Sequence, residues 1–370
     1  ARSLARQARS AAIDEGRYQD ARARGRRRGQ RGRWRMTERA PAAGTTSSTT
    51  AVTAPASSRI GDFLGRYAIS VVFFGLLIAL LIASPDFREP RNLWNVLQQN
   101  SIIGIVALGM LVMMISGGFD LSVGAIGAAS AVVAAFAFVN FSIPFGVVGG
   151  LLIGLLIGSA NGILIAKVGI NPFVTTLGMQ VFVQGLLFVA TDAKPIYGLP
   201  SGFTFIGLGR IGPVPVAAII YGLVALAVWI LLRFTRFGHY VYATGGNKEA
   251  SRLAGVPVDR VIIGAFALGG FLAAVAGLVL LGQVNIGQPA MQAAWPLAAI
   301  AACVVGGTSL FGGVGTVPGV VVGTLLLGVV ANALNLFGVS PYWQPAVTGV
   351  IILAAVGIDA FQRKRKGGLA

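Results

Sequence analysis

An all-α, polytopic membrane protein is the fold class this sequence predicts, and three observations predict it. Only 11% of the 370 residues are charged, where a soluble domain carries about 25%. Hydrophobic residues make up 55% of the chain and glycine fills 52 positions, a balance that suits helices packed closely in lipid. Ten apolar segments recur, near 66–84, 101–116, 120–139, 144–167, 172–190, 214–232, 261–281, 296–308, 319–336 and 344–360. Several are short for a hydrocarbon core about 30 Å thick, which predicts that some spans are broken or tilted.

The chain divides into a tail at 1–60 and a transmembrane domain at 61–370. Residues 1–35 hold twelve arginines and three acids, and no Met occurs before Met36. They read either as sequence upstream of a natural start at Met36 or as a basic cytoplasmic arm touching anionic lipid. Residues 40–58, APAAGTTSSTTAVTAPASS, have the composition of a disordered tail. The first apolar segment lacks a small-residue cleavage site and reads as an uncleaved span.

The net charge of +17 invites a nucleic-acid reading, but past residue 35 the basic residues flank apolar runs, which is a mark of topology. Arg59 and Arg66 precede the first span. Arg233, Arg236, Lys248, Arg252 and Arg260 fill the segment after the sixth, and Arg363, Lys364, Arg365 and Lys366 follow the tenth. Even numbers of spans separate these places, so all three lie on one side. The positive-inside rule makes that side cytoplasmic, with both termini there and Lys167 beside them.

A shift of 174 residues superposes part of the sequence on itself. Ala125-Ile126 falls on Ala299-Ile300, Pro144 on Pro318, Gly149 on Gly323, Gly154 on Gly328 and Asn161 on Asn335, with 11 identities over 37 positions. The matched spans run in opposite directions, which predicts an inverted repeat of the kind transporters use, with the solute path at its interface. The ladder Gly146, Gly150, Gly154, Gly158 and the pair Gly319, Gly323 read as close helix packing.

Little points to catalysis. His239 is the single histidine and Cys303 the single cysteine; no metal spacing or nucleophile–base pair emerges, and no cofactor is expected in this chain. GGTSLFGGVGT (306–316) lacks the Gly-Lys-Ser/Thr ending of a phosphate loop and reads as a tight, re-entrant turn. Within the spans, Asp120 in SGGFDLSVG stands out. It reads as an N-cap carboxylate for the third span, shared with Ser122, or as a structural element at a broken-helix junction. Thr176, Gln180 and Gln184 recur at i, i+4 and i+8 of the fifth span. They form an uncharged polar stripe that suits either interhelical hydrogen bonds or the wall of a path for a neutral, hydroxyl-rich solute, with Asn161 and Asn335 as repeat-related candidates.

The segment TGGNKEASRLAGVPVDR (244–260) is the main charge cluster beyond the N-terminus. Gly245-Gly246 break the chain, Asn247 is an N-cap, Glu249 sits in the first turn and Pro257 stops the helix. Ala250, Leu253 and Ala254 then face outward beside Arg252, as a plug for a partner's groove or as a helix lying on the bilayer.

From about residue 68 to 360 the sequence resembles the permease subunits of ribose/xylose-type monosaccharide ABC importers. The resemblance rests on NLWNVLQQNSIIGIVALGM (92–110), GGFDLSVG (117–124), TGGNKEASRLAGV (244–256), VVGGTSLFGGVGTVPG (304–319) and NALNLFGVSPYWQ (332–344). It implies a dimer with a second copy or close paralogue, two cytoplasmic ATPase subunits carrying ATP and Mg, and an extracytoplasmic sugar-binding protein. It implies residence in the bacterial inner membrane and no nucleic-acid partner. It also assigns ATPase coupling to the loop at 233–260, with Gly245, Gly246, Asn247, Glu249, Ala250, Arg252, Leu253 and Gly255, and makes Gly117, Gly118, Asp120, Ser122 and Gly124 a structural motif. Where that family has Gly-Tyr-Glu-Leu-Asp, this chain has Ala294-Trp295-Pro296-Leu297-Ala298, so the identity of the sugar does not carry over. A nucleoside, a branched-chain amino acid or a signalling sugar are the alternative solutes, and an ion-coupled secondary transporter the alternative mechanism.

Overall fold

In the computed structural model, residues 71–357 are described, except 72, 291–293, 341, 352 and 354–356. The tail at 1–60, Met36, the basic flanks at 59–66 and 363–366 and part of the tenth predicted span lie outside the described residues. Among the described residues, seven helices are long and apolar enough to cross a membrane, so the chain is an all-α polytopic membrane protein.

In chain order the helices are α1 (Phe73–Ala83), α2 (Pro90–Ile115), α3 (Val123–Asn140), α4 (Ile143–Ile163, extended by a π-turn at Leu164–Val168) and α5 (Pro172–Thr191). After a short α6 (Thr204–Leu208) comes a two-residue hairpin, β1 (Arg210–Ile211) and β2 (Val214–Pro215). Then follow α7 (Val216–Phe234), α8 (Arg236–Gly246), α9 (Lys248–Leu253), α10 (Val258–Val284), α11 (Trp295–Val305) and α12 (Val317–Leu336). Proline stands in the first turn of α2, α4, α5, α11 and α12, where its missing N–H costs no helical bond. Asp192 after α5 and Asn285 after α10 close their helices in the left-handed conformation.

α2, α3 and α10 form the interior. α3 reads VGAIGAASAVVAAFAFVN, and its small side chains let neighbours approach on several sides. α5 and α7 lie at the periphery and expose Val181, Phe182, Leu223 and Leu226, as lipid-facing helices do. The glycine ladder of α4 serves packing: at Gly158 and Gly154 a Cβ would overlap the carbonyl oxygen of Phe266 and the Ala274 side chain on α10. Gly319 and Gly323 do the same for α12 against α11.

Two departures from the sequence-based spans are informative. The second span begins at Pro90 and runs 26 residues, about 39 Å at 1.5 Å per residue. Its polar first turns are tied down: Asn92 and Asn332 exchange amide bonds at 3.0 and 2.9 Å, and Gln98 Nε2 donates to the Gly207 carbonyl at 2.9 Å. The eighth span is a half-length helix, α11, and ahead of it Gly287 pairs with Ile196. The end of the bundle that carries 116–122, 235–257 and 306–316 is called the basic end below, and the opposite one the far end.

Candidate functional site

Three loops that are far apart in sequence meet at the basic end. Gly117 closes α2 with a left-handed φ of 90°, and its N–H returns to the Met114 carbonyl at 3.0 Å. The Gly313 N–H donates to the Ile115 carbonyl at 2.9 Å, which binds the 306–316 turn to the same helix end. Gly307, Gly312 and Gly313 all have positive φ in that turn, so the backbone doubles back tightly, as the sequence predicts. Gly245 lies between the two: a Cβ there would overlap the Ile115 carbonyl oxygen and approach the Gly313 nitrogen at 2.6 Å. Tyr242 Oη donates to the Gly315 carbonyl at 2.8 Å. Burial raises its pKa above the ordinary phenol value, which keeps the hydrogen on the donor.

Gly245 and Gly246 are therefore not a chain break. They are the last residues of α8, and the break falls at Asn247, with φ −159° and ψ 109°. The Asn247 side chain accepts from the Ala250 N–H at 2.9 Å, the N-cap its sequence position predicts. α9 closes at Gly255, φ 82°, whose N–H returns to the Arg252 carbonyl at 3.0 Å. Ser251 is buried on its inner side, whereas Ala250, Arg252 and Leu253 face outward, Leu253 with 91% of its surface exposed. Arg252 pairs with Asp259 at 3.0 Å and with Glu249 at 3.5 Å. These exposed pairs add little stability, but they fix α9 against the start of α10. Lys248 lies over the 116–122 loop: a Cβ at Gly117 would meet its Cε at 3.6 Å.

Asp120 and Ser122 do not cap α3; Ser122 occupies the N-cap position without a side-chain bond to the helix. Instead the fully buried Asp120 accepts from the Ser122 N–H at 2.6 Å and from the Ser122 hydroxyl through Oδ1. Its Oδ2 accepts from Asn161 Nδ2 at 3.1 Å, and the second amide hydrogen of Asn161 goes to Ser122 Oγ at 2.9 Å. A buried carboxylate is costly without such donors; here two come from Ser122 within the loop and the third, from Asn161, ties the loop to α4. Gly118 packs under Phe266, whose ring a Cβ would meet at 3.1 Å, and Gly124 is buried in the first turn of α3.

The polar stripe of α5 divides among separate contacts. Thr176 is buried and donates to the Pro172 carbonyl at 2.9 Å within its own helix. Gln180 is half-buried. Gln184 Nε2 donates to the Pro289 carbonyl at 2.6 Å, towards the far end. Asn161 sits in the Asp120 cluster near the basic end, while Asn335 is exposed at the far end, where its Oδ1 accepts from Gln344 at 2.9 Å. The two asparagines are not brought together. The replaced segment at 294–298 places Trp295 in the core, 4% exposed, over Gly127 on α3.

A model of the family described as branched-chain amino acid transport system / permease component matches residues 92–356. The chain belongs to this family. It is 41% identical to the ribose import permease protein of Bacillus subtilis (strain 168) over 304 residues, covering 81% of this chain and 92% of the relative. The ribose import permease protein of Escherichia coli (strain K12) is 39% identical over 299 residues, 78% and 92% of the two chains. The L-arabinose transport system permease protein of the same organism is 40% identical over 321 residues, 86% and 98%. No solved structure matches the chain. Local sequence reasoning on this permease component found α9 but missed Lys248, Tyr242 and Gly313 as the residues that connect it to the bundle. The doubled glycines at 312–313 were the available signal; they read as a tight turn, but nothing local in the sequence shows that the turn packs on Gly245.

Proposed function

We propose that this permease component carries a monosaccharide of the ribose or arabinose type across the membrane, as the transmembrane subunit of an ATP-driven importer. It works with a second copy of itself or a close paralogue, with an ATPase that binds ATP and Mg, and with an extracytoplasmic binding protein. The reading rests above all on α9: a capped helix, joined through Gly245 to α2 and to the 306–316 turn, that holds Leu253 91% exposed. Such a projection fits a partner's groove, and its hydrogen-bonded base passes a push on α9 directly to the ends of α2 and α12.

The basic end is assigned to the cytoplasm, because Lys167, Arg233, Arg236, Lys248, Arg252 and Arg260 gather there. With the segments at 66–84 and 344–360 the chain makes ten spans, both termini inside. The inverted repeat is supported by α4 and α12, which both open on proline and start at opposite ends of the bundle. The half-buried Gln180 on α5 is assigned to the solute path, with Thr176 and Gln184 on the same helix.

The test uses proteoliposomes holding this chain with its ATPase, supplied with the binding protein. ATP-dependent uptake of labelled ribose or L-arabinose, absent after deletion of 249–253 while ATP hydrolysis persists, is the expected result. Uptake of leucine without either sugar, or full sugar uptake by the deleted chain, overturns the proposal.

A further inference from the structure

The exposed Arg233, near the C-terminal end of α7, lines a cavity that the coupling role leaves unused. This cavity, of about 490 Å³, opens between the end of α7, α8 and the start of α12, within the roughly 300–1,000 Å³ of small-ligand sites. Its lining is part apolar, from Leu232, Val317 and Pro318, and part polar, from Arg233, His239, Tyr242 and Thr316. Trp229 completes the rim on the membrane side, one helical turn before Arg233. It meets Phe234 edge-on at 5.2 Å between ring centroids, and both rings are exposed, 40% and 64%. Above them the outward face of α7 continues with the exposed Leu223, Leu226 and Ile230. The sequence of surfaces is thus hydrocarbon-facing, then aromatic, then cationic and concave, the order in which a bilayer passes from acyl chain to phosphate.

The donors in the cavity are suited to an oxyanion. Arg233 is exposed and offers a planar set of N–H groups. His239 Nδ1 lies 2.7 Å from the Thr235 carbonyl; since a carbonyl only accepts, Nδ1 carries the hydrogen and Nε2 is the ring nitrogen left for a ligand. Thr316 accepts from the Gly319 N–H through Oγ1, which leaves its hydroxyl hydrogen to give. Tyr242 is already committed to Gly315 and adds only a lone pair.

We propose that this cavity binds the phosphate of an anionic phospholipid headgroup, with Arg233 as its principal contact and the lipid tails lying along α7. The leaflet concerned, the cytoplasmic one, rests on the orientation proposed above; the site itself does not. Basic pockets between helices at this level recognise such headgroups through charge and depth together.

The experiment is native mass spectrometry of the purified full chain in detergent, offered phosphatidylglycerol or phosphatidylcholine at equal concentration. The unaltered chain retains phosphatidylglycerol roughly tenfold better, the scale of one charge-assisted contact. Arg233→Gln removes most of that preference and His239→Gln part of it, while Lys194→Gln, at the far end, leaves it intact. Thermal melting of each variant verifies that it is folded. Equal retention of the two lipids by the unaltered chain, or an undiminished preference in Arg233→Gln, overturns the proposal. A third arm offers inorganic phosphate alone and reads its phosphorus line width. Arg233-dependent broadening without any lipid preference overturns the lipid as occupant and assigns the cavity to a soluble phosphate ligand.

Discussion

Gly245 is held in a position where no side chain fits: the Ile115 carbonyl oxygen that a Cβ would strike is already accepting the Gly313 N–H at 2.9 Å. Gly246, the next residue, has open space around its missing Cβ. Gly245→Ala therefore forces two backbones apart, at a cost of about 1–3 kcal/mol for overpacking, whereas Gly246→Ala is close to neutral. Melting temperatures in detergent check the difference, and equal losses for the two variants sink the packing argument. Sequence made both glycines conspicuous but assigned them to a chain break, because contact with Ile115, 130 positions away, is not a local property. The same holds for Asp120 and Asn161. Each stood out singly as a polar group in an apolar run, yet the bonds at 3.1 and 2.9 Å that join Asn161 to Asp120 and Ser122 depend on how α4 packs. Asn161 is thereby engaged in holding a loop, and its repeat mate Asn335 bonds to Gln344 at the other end of the bundle.

At the level of elements, α9 was fully legible and α2 was not, for opposite physical reasons. The limits of α9 are written in adjacent residues: Asn247 caps it, Glu249 suits its first turn, and Gly255 with Pro257 stop it. The first turns of α2 carry Asn92, Gln98, Gln99 and Asn100, which lower the local hydropathy below that of a span. Asn92 finds its partner on α12 and the buried Gln98 finds its own at Gly207, so only the tertiary fold reveals that this polar stretch continues a helix. α9 also yields the sharper prediction. Asn247→Ala removes the bond to the Ala250 N–H and costs about 1 kcal/mol of local helix stability, loosening the projection while leaving its surface intact. Leu253→Asp leaves the cap intact and changes only the outward face. In the reconstituted importer, Leu253→Asp lowers ATP-dependent uptake at least tenfold, the effect of burying an unpaired charge in a docking groove. Asn247→Ala has the smaller effect. Unchanged uptake in Leu253→Asp would exclude this side chain from the partner contact.

For the whole molecule, the number of spans turns on α11, which has 11 residues and covers about 16 Å, half a bilayer. By length alone it suits a re-entrant hairpin that enters and leaves on one side. The position of the turn that follows argues for a crossing: Gly312 and Gly313 pack on Gly245 and Gly117, while the chain before α11 pairs Gly287 with Ile196 at the far end. A crossing here is completed by the non-helical turn at 306–316 beside a short helix, which is tolerable in a membrane where protein surrounds it. On the ten-span topology proposed above, the chain crosses three times between Leu253 and Tyr342, through α10, α11 and α12, which puts the two residues on opposite faces. Both are well exposed, at 91% and 92%, whereas the native Cys303 is fully buried with its Sγ 3.2 Å from the Ala107 carbonyl, so the unaltered chain supplies an unlabelled background. In intact cells a membrane-impermeant maleimide labels Tyr342→Cys, and it labels Leu253→Cys only after the membrane is opened. The reverse pattern inverts the orientation set by the basic residues. Labelling of both from one side makes α11 and the turn after it a re-entrant hairpin, and would require the contact between Gly313 and Ile115 to be rebuilt.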